Sequence, residues 1–213
     1  MEILLQEILP AYFEKEQING SEVWRKNISF HKGEHVHIIA PSGSGKTSLI
    51  HFIYGLRKDY DGIISYQNES IKKISLENFS TFRQNNLSIV FQDLRLFTDQ
   101  TVRANIELKR QLNPYHPQQK INAMANHLGI SSKLNKLAKT CSYGEQQRIA
   151  IIRSLMQPFD FLLLDEPFSN LDETNRNKAF ELINEECKLR NASMIFADLK
   201  ELDFFKGQGI LKL

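Results

Sequence analysis

The stretch Ala40-Pro41-Ser42-Gly43-Ser44-Gly45-Lys46-Thr47 carries the residue types that a polyphosphate requires. Gly43 and Gly45 let the backbone curl so that several N–H groups point at one anion. Lys46 can reach outer phosphates, and the Thr47 hydroxyl is a ligand for magnesium. A second pair, Asp165-Glu166, follows the apolar run 161–164. Ligands bind at the carboxyl edge of an open parallel sheet, which suits Asp165 to hold magnesium through water. Glu166 is then the general base for an attacking water. A third stretch, Ser142-Tyr143-Gly144-Glu145-Gln146-Gln147-Arg148, opens with the Ser and Glu spacing of a capping box. Its early glycine leaves N–H groups open to an anion. Taken alone, it reads as an ordinary helix cap.

These groups need elements to position them. The run 36–39 alternates as a short strand, and 48–53 has helical spacing, so the glycine-rich turn lies between a strand and a helix beginning near Lys46. Residues 3–9 and 21–39 read as short strands, with turns at Asn19-Gly20 and Lys32-Gly33-Glu34. Asp61-Gly62 reads as a turn into a strand ending at Tyr66, and 87–91 as an apolar strand stopping at Gln92. Residues 93–157 change to helical spacing, broken at Asn113-Pro114-Tyr115-His116-Pro117 into at least two helices. The runs 161–164 and 194–197 suit buried strands, and 173–190 suits a helix. The alternation predicts an α/β fold with a mainly parallel sheet. Upstream of the loop, Tyr12, Phe13 and Trp24 read first as core aromatics, with Tyr12 or Phe13 able to stack on an adenine.

A chain of 213 residues with 41% hydrophobic residues suits one domain with a sizeable core. The net charge of +2, with no dense Lys/Arg stripe, argues against nucleic acid as the main partner. Cys141 and Cys187 lack metal-ligand spacing and read as reduced thiols. The acidic start Met1-Glu2-Ile3-Leu4-Leu5-Gln6-Glu7 is not expected to be a secretory signal. No apolar run approaches the ~20 residues that span a bilayer, so any membrane role is expected through a partner.

In order and spacing, the chain resembles the ATP-binding subunits of ABC transporters over nearly its whole length. Residues 40–47 match the Walker A loop, and Gln92 in Val90-Phe91-Gln92-Asp93 matches the Q-loop. Cys141-Ser142-Tyr143-Gly144-Glu145-Gln146 matches the signature motif. Leu162-Leu163-Leu164-Asp165-Glu166-Pro167 matches Walker B with its catalytic glutamate, and Ser169-Asn170-Leu171-Asp172 the D-loop. The resemblance implies a P-loop ATPase fold with a mainly parallel core sheet, an antiparallel N-terminal β part and a helical subdomain. One domain, 1–213, is expected, with core 1–91 and 158–213 and helical subdomain 92–157.

The resemblance also implies roles. ATP and Mg2+ are the expected cofactors. Pro41, Ser42, Gly43, Ser44, Gly45, Lys46, Thr47 and Ser48 would hold the nucleotide, with Tyr12 or Phe13 at the base. Thr47, Gln92 and Asp165 would hold magnesium; Glu166, Lys46 and Gln92 would act in hydrolysis. Family members pair head to tail, so Ser142, Tyr143, Gly144 and Glu145 would act across a homodimer or an equivalent pair, with Ser169 and Asp172 in the D-loop. The helical lobe would dock on an integral membrane subunit at the cytoplasmic face of the inner or plasma membrane, with no nucleic acid involved.

Three positions depart from the pattern. Ala40 replaces the first Walker A glycine, and Tyr143 the first signature glycine. Asp198 stands where the family places a histidine that contacts the γ-phosphate, and no histidine occurs after His127. A carboxylate only accepts hydrogen bonds, so Asp198 must turn away, be protonated, or approach through a cation. Slow hydrolysis follows as an expectation, and a cassette that binds ATP but barely turns it over is the alternative reading. The segment 91–97, with 101–106, is similar to the lipoprotein-releasing, macrolide-exporter and cell-division group, which suggests export or envelope work. A ribosomal or DNA-repair ABC protein would carry two cassettes or a long coiled-coil insertion, and this chain shows neither.

Overall fold

The computed structural model describes residues 1–14, 18–202, 205 and 209–213. Its centre is a five-stranded sheet in the order β6-β7-β8-β3-β9, every pair parallel. These strands are β3 (His35–Ile39), β6 (Leu87–Val90), β7 (Phe161–Asp165), β8 (Ser193–Asp198) and β9 (Gly209–Lys212). A second sheet is antiparallel, in the order β2-β1-β4-β5, from β1 (Glu2–Pro10), β2 (Asn27–His31), β4 (Tyr60–Tyr66) and β5 (Glu69–Ser70).

The period of two along the central strands divides the core. Leu162, Leu164, Met194 and Phe196 join an apolar cluster with helices α3 (Val102–Leu112), α4 (Gln119–His127), α5 (Tyr143–Leu155) and α6 (Glu173–Arg190). Their neighbours Phe161, Leu163, Ile195 and Ala197 point the other way, to α1 (Lys46–Ile53) and the antiparallel sheet. Both faces of β7 are therefore covered, which is why its sequence is continuously apolar rather than alternating.

Side-chain caps set the helix starts. Thr101 accepts from the Ala104 amide, Asp172 from Asn175, and Ser142 from Glu145. The Glu145 carboxylate returns a bond to the Ser142 amide at 2.9 Å, completing the capping box. Gly62 has φ +85°, and a Cβ there would lie 2.5 Å from the Gln6 carbonyl oxygen. That close approach accompanies the register shift of β1 between Gln6 and Leu9.

Several boundaries differ from the sequence reading. Of residues 21–39, only 27–31 and 35–39 are strand; in 21–26 the Ser21 hydroxyl accepts from the Val23 and Trp24 amides and closes a turn. Asp61 and Gly62 lie inside β4 rather than in a turn before it. Helix α2 (Leu76–Asn85) buries only Phe79 and so gives no apolar stripe in sequence. Residues 173–190 are helical as expected. Among the described residues no helix is long and apolar enough to cross a membrane.

Candidate nucleotide site

The 40–47 loop leaves the carboxyl end of β3 and runs into α1. The Ala40 amide donates to the Asp198 carbonyl oxygen at 3.1 Å, which ties the loop's start to the end of β8. Ala40 is buried and is not among the residues with positive φ, so its methyl group fits without backbone strain. Gly43 and Gly45 have φ +82° and +93°. A Cβ on Gly45 would meet the rings of Phe13 and Trp24 at 2.8 Å each. Trp24 Nε1 donates to the Ser44 carbonyl oxygen at 3.2 Å, so these two aromatics buttress the loop from behind.

Lys46 is buried at the loop's foot and donates to the carbonyl oxygens of Ala40 (2.8 Å) and Pro41 (3.0 Å), with Glu166 Oε1 at 3.5 Å. Thr47 Oγ1 donates to Gln92 Oε1 at 3.1 Å, and Gln92 Nε2 donates to Glu166 Oε2 at 3.3 Å. Walker A, the Q-loop and Walker B are thereby closed into one ring of bonds. Glu166 has φ +46°, a left-handed conformation that a non-glycine residue adopts at a cost, and strain of this kind collects at working sites.

Asp165 is fully buried, and neither carboxylate oxygen has a hydrogen-bond partner that meets normal geometry. Burial pushes its pKa up to about 6, tempered by the nearby Thr47 hydroxyl. An orphaned carboxylate beside a hydroxyl and an amide oxygen is an all-oxygen donor set, which fits Mg2+. No group of three or more His, Cys, Asp or Glu side chains placed to hold a metal ion occurs among the described residues.

A cleft of about 270 Å³ opens over these groups, lined by Tyr12 and Phe13 at one end and by Gln92 and Glu166 at the other. Tyr12 is half exposed, whereas Trp24 is fully buried and unable to stack on a ligand. A larger cavity of about 530 Å³ lies elsewhere, among Phe91, Phe97, Leu108, Leu112, Lys109 and Arg153. It holds no carboxylate and lies away from the phosphate loop.

The signature residues are not bonded to this subunit's own phosphate loop. Ser142 and Glu145 cap α5, and Glu145 also meets Lys133 at 3.1 Å. The Tyr143 hydroxyl donates to the Gln92 carbonyl oxygen at 3.3 Å, so the side chain leans on its own Q-loop. A Cβ on Gly144 would sit 2.8 Å from the Asn170 carbonyl oxygen, so this glycine admits the D-loop backbone. Ser169 accepts from Gln147, and Asp172 caps α6. Gln147 has no role that its place in the Ser142–Arg148 stretch reveals. It is buried, donates to the Glu166 carbonyl oxygen (3.1 Å) and accepts from the Asn170 amide (3.1 Å), joining signature helix, Walker B and D-loop.

Asp198 lies within electrostatic reach of Lys46 and Glu166. Its Oδ1 accepts from the Leu199 amide at 2.6 Å, and burial raises its pKa.

The ABC transporter family profile matches residues 25–169. The chain belongs to the ABC transporter ATP-binding family. It is 32% identical over 172 residues to the lipoprotein-releasing system ATP-binding protein LolD of Legionella pneumophila, covering 79% of this chain and 76% of that one. It is 31% identical over 172 residues to the ABC transporter ATP-binding protein YxdL of Bacillus subtilis, covering 79% and 67%. It is also 37% identical over 158 residues to the molybdate/tungstate import protein WtpC of Pyrococcus horikoshii, covering 72% of this chain and 44% of that one. Among solved structures, a dimeric bacterial ABC transporter cassette superposes with a TM-score of 0.82 at 22% identity, covering 99% of this chain and 94% of that one. A dimeric post-hydrolysis cassette bound to ADP and Pi gives 0.80, also at 22% identity, covering 93% and 88%. Membership makes the chain an ATP-binding ATPase of the transporter class.

Proposed function

We propose that this cassette hydrolyses ATP in a head-to-tail dimer and so drives a membrane subunit at the cytoplasmic face of the membrane. The ring Lys46–Glu166–Gln92–Thr47 around the orphaned Asp165 carboxylate carries this reading. Asp165, Thr47 and Gln92 would hold Mg2+, which neutralises charge on the phosphates when bound. Lys46 leaves the loop carbonyls for the outer phosphates. Glu166 takes a proton from the attacking water as its oxygen bonds to the γ-phosphorus. The bond from that phosphorus to the bridging oxygen breaks, leaving ADP and inorganic phosphate.

Ser142, Tyr143, Gly144 and Glu145 would close the site from the partner copy, with Ser169 and Asp172 beside them; their lack of bonds to the home loop supports this. Two ATP molecules then sit between two chains, and hydrolysis releases the closed state. The membrane subunit would seat an acidic, apolar helix in the 530 Å³ cavity. Phe97 and Leu112 are about 60% exposed there, and burial together with Arg153 and Arg83 lowers the Lys109 pKa to about 8. Its wall residue Phe91 precedes Gln92, so an occupant would act directly on the Q-loop. The similarity to LolD proteins favours envelope-directed export, such as lipoprotein release.

The test is steady-state hydrolysis with the purified chain. Turnover per chain should rise with chain concentration and vanish in Glu166→Gln. A concentration-independent rate would sink the dimer reading. Asp198 supports a second reading, in which ATP binding persists and hydrolysis is very slow, because its carboxylate is engaged by the Leu199 amide and donates nothing.

A further inference from the structure

Arg57 lies at the mouth of the cleft and belongs to none of the family motifs. Its guanidinium carbon sits 5.1 Å from the centroid of the Tyr12 ring, over one face. Arg57 Nη1 donates to Ser48 Oγ at 3.1 Å, and the same Oγ shares a hydrogen bond with the Tyr12 hydroxyl at 2.5 Å. Asp59 grips the guanidinium from the far side, Arg57 Nε donating to Oδ1 at 3.0 Å and Nη2 to Oδ2. The Tyr12 and Phe13 rings meet at 85°, centroids 5.3 Å apart.

Tyr12 is 51% exposed, so without these contacts its ring would sample several rotamers. Arg57 covers one face, Ser48 fixes the hydroxyl, and the half-exposed ring lines the cleft. The fork on Asp59 fixes the charged guanidinium against the Tyr12 ring.

We infer that Arg57 is a positioning residue for the nucleobase, presenting the Tyr12 ring so that ATP stacks on it without first ordering it. The inference rests on the reading of Tyr12 as the adenine contact. Pre-ordering raises affinity for anything that uses the ring and leaves phosphate binding alone. The base-bearing nucleotide and a bare polyphosphate should therefore respond differently.

The experiment is calorimetric titration of ATP and of inorganic tripolyphosphate, both with magnesium, into wild type, Arg57→Gln, Arg57→Lys, Tyr12→Ala and the double variant Tyr12→Ala/Arg57→Gln. Arg57→Gln should weaken ATP about two- to fivefold, the range of an exposed cation–π contact, with tripolyphosphate unchanged. Arg57→Lys keeps the cation without the fork and should fall between. Once Tyr12 is alanine, the Arg57 change should have no further effect. Equal losses for ATP and tripolyphosphate, or additive losses in the double variant, overturn the inference while leaving Tyr12 as the base contact. If Tyr12→Ala binds ATP like wild type, the base-stacking reading falls and the inference falls with it.

Discussion

Trp24 Nε1 donates to the carbonyl oxygen of Ser44 at 3.2 Å, so the chain's single tryptophan is bonded to the loop that curls around the phosphates. When the loop's N–H groups turn onto a nucleotide, the field at this indole changes. Tryptophan emission should therefore shift saturably with ATP, with no such response in Lys46→Ala. An emission spectrum unaffected by ATP at concentrations that bind by calorimetry would contradict the coupling.

The buried Asp165 carboxylate is a stability liability at neutral pH, consistent with the proposed role as a magnesium ligand. Its folded pKa of about 6 lies above the unfolded value of 3.8, so the folded state holds the extra proton between those values. Its contribution to stability is present at low pH and is lost as pH rises through about 6. Asp165→Asn should raise the stability of the nucleotide-free protein at pH 7.5 by about 2 kcal/mol and remove magnesium-dependent ATP hydrolysis. Urea melts and ATPase assays on the same preparation check both halves.

His37 titrates in the opposite sense. It is fully buried, stacked on Phe196 with centroids 4.6 Å apart, and neither ring nitrogen has a hydrogen-bond partner among the described residues. Burial lowers its pKa to about 4, below the model-peptide value of 6.5. The unfolded chain binds the proton first as pH falls, so stability is full above about 6.5 and declines toward pH 4, by on the order of 2–3 kcal/mol. His37→Phe should keep the stack and flatten that decline. Because Asp165 opposes it, the quantity to measure is the difference between wild type and variant at pH 5 and pH 7.

Asp198 accepts the Leu199 amide, and an ionised carboxylate offers a phosphate no hydrogen-bond donor. Asp198→His should raise turnover about tenfold, the effect of restoring one donor to developing charge. Equal or lower activity, with the partner membrane subunit present, would show that this position does not limit the chemistry.

The local elements that carry the candidate site were legible in the sequence. The phosphate loop, Asp165-Glu166 at a strand end and the Ser142 capping box were all legible, because each follows from local backbone physics. Helix α2 was not, since one buried Phe79 makes no periodic stripe. Strand β9 is short, lies at the sheet edge and alternates only weakly in burial. Gln147 looked like any polar helix residue, because its partners at Glu166, Ser169 and Asn170 come from a different element. The choice among aromatics needed depth: Trp24 is buried behind the loop, and Tyr12 stands at the cleft.

In the proposed dimer each chain holds half a site, and Ser142 supplies the other half to its partner. Sedimentation velocity of Glu166→Gln with saturating ATP and magnesium tests it most directly. A dimer is expected with ATP and a monomer without. Glu166→Gln/Ser142→Arg should give the same Trp24 response to ATP and remain monomeric. A Glu166→Gln chain that stays monomeric with ATP bound, or a dimer indifferent to the Ser142 change, would contradict the account.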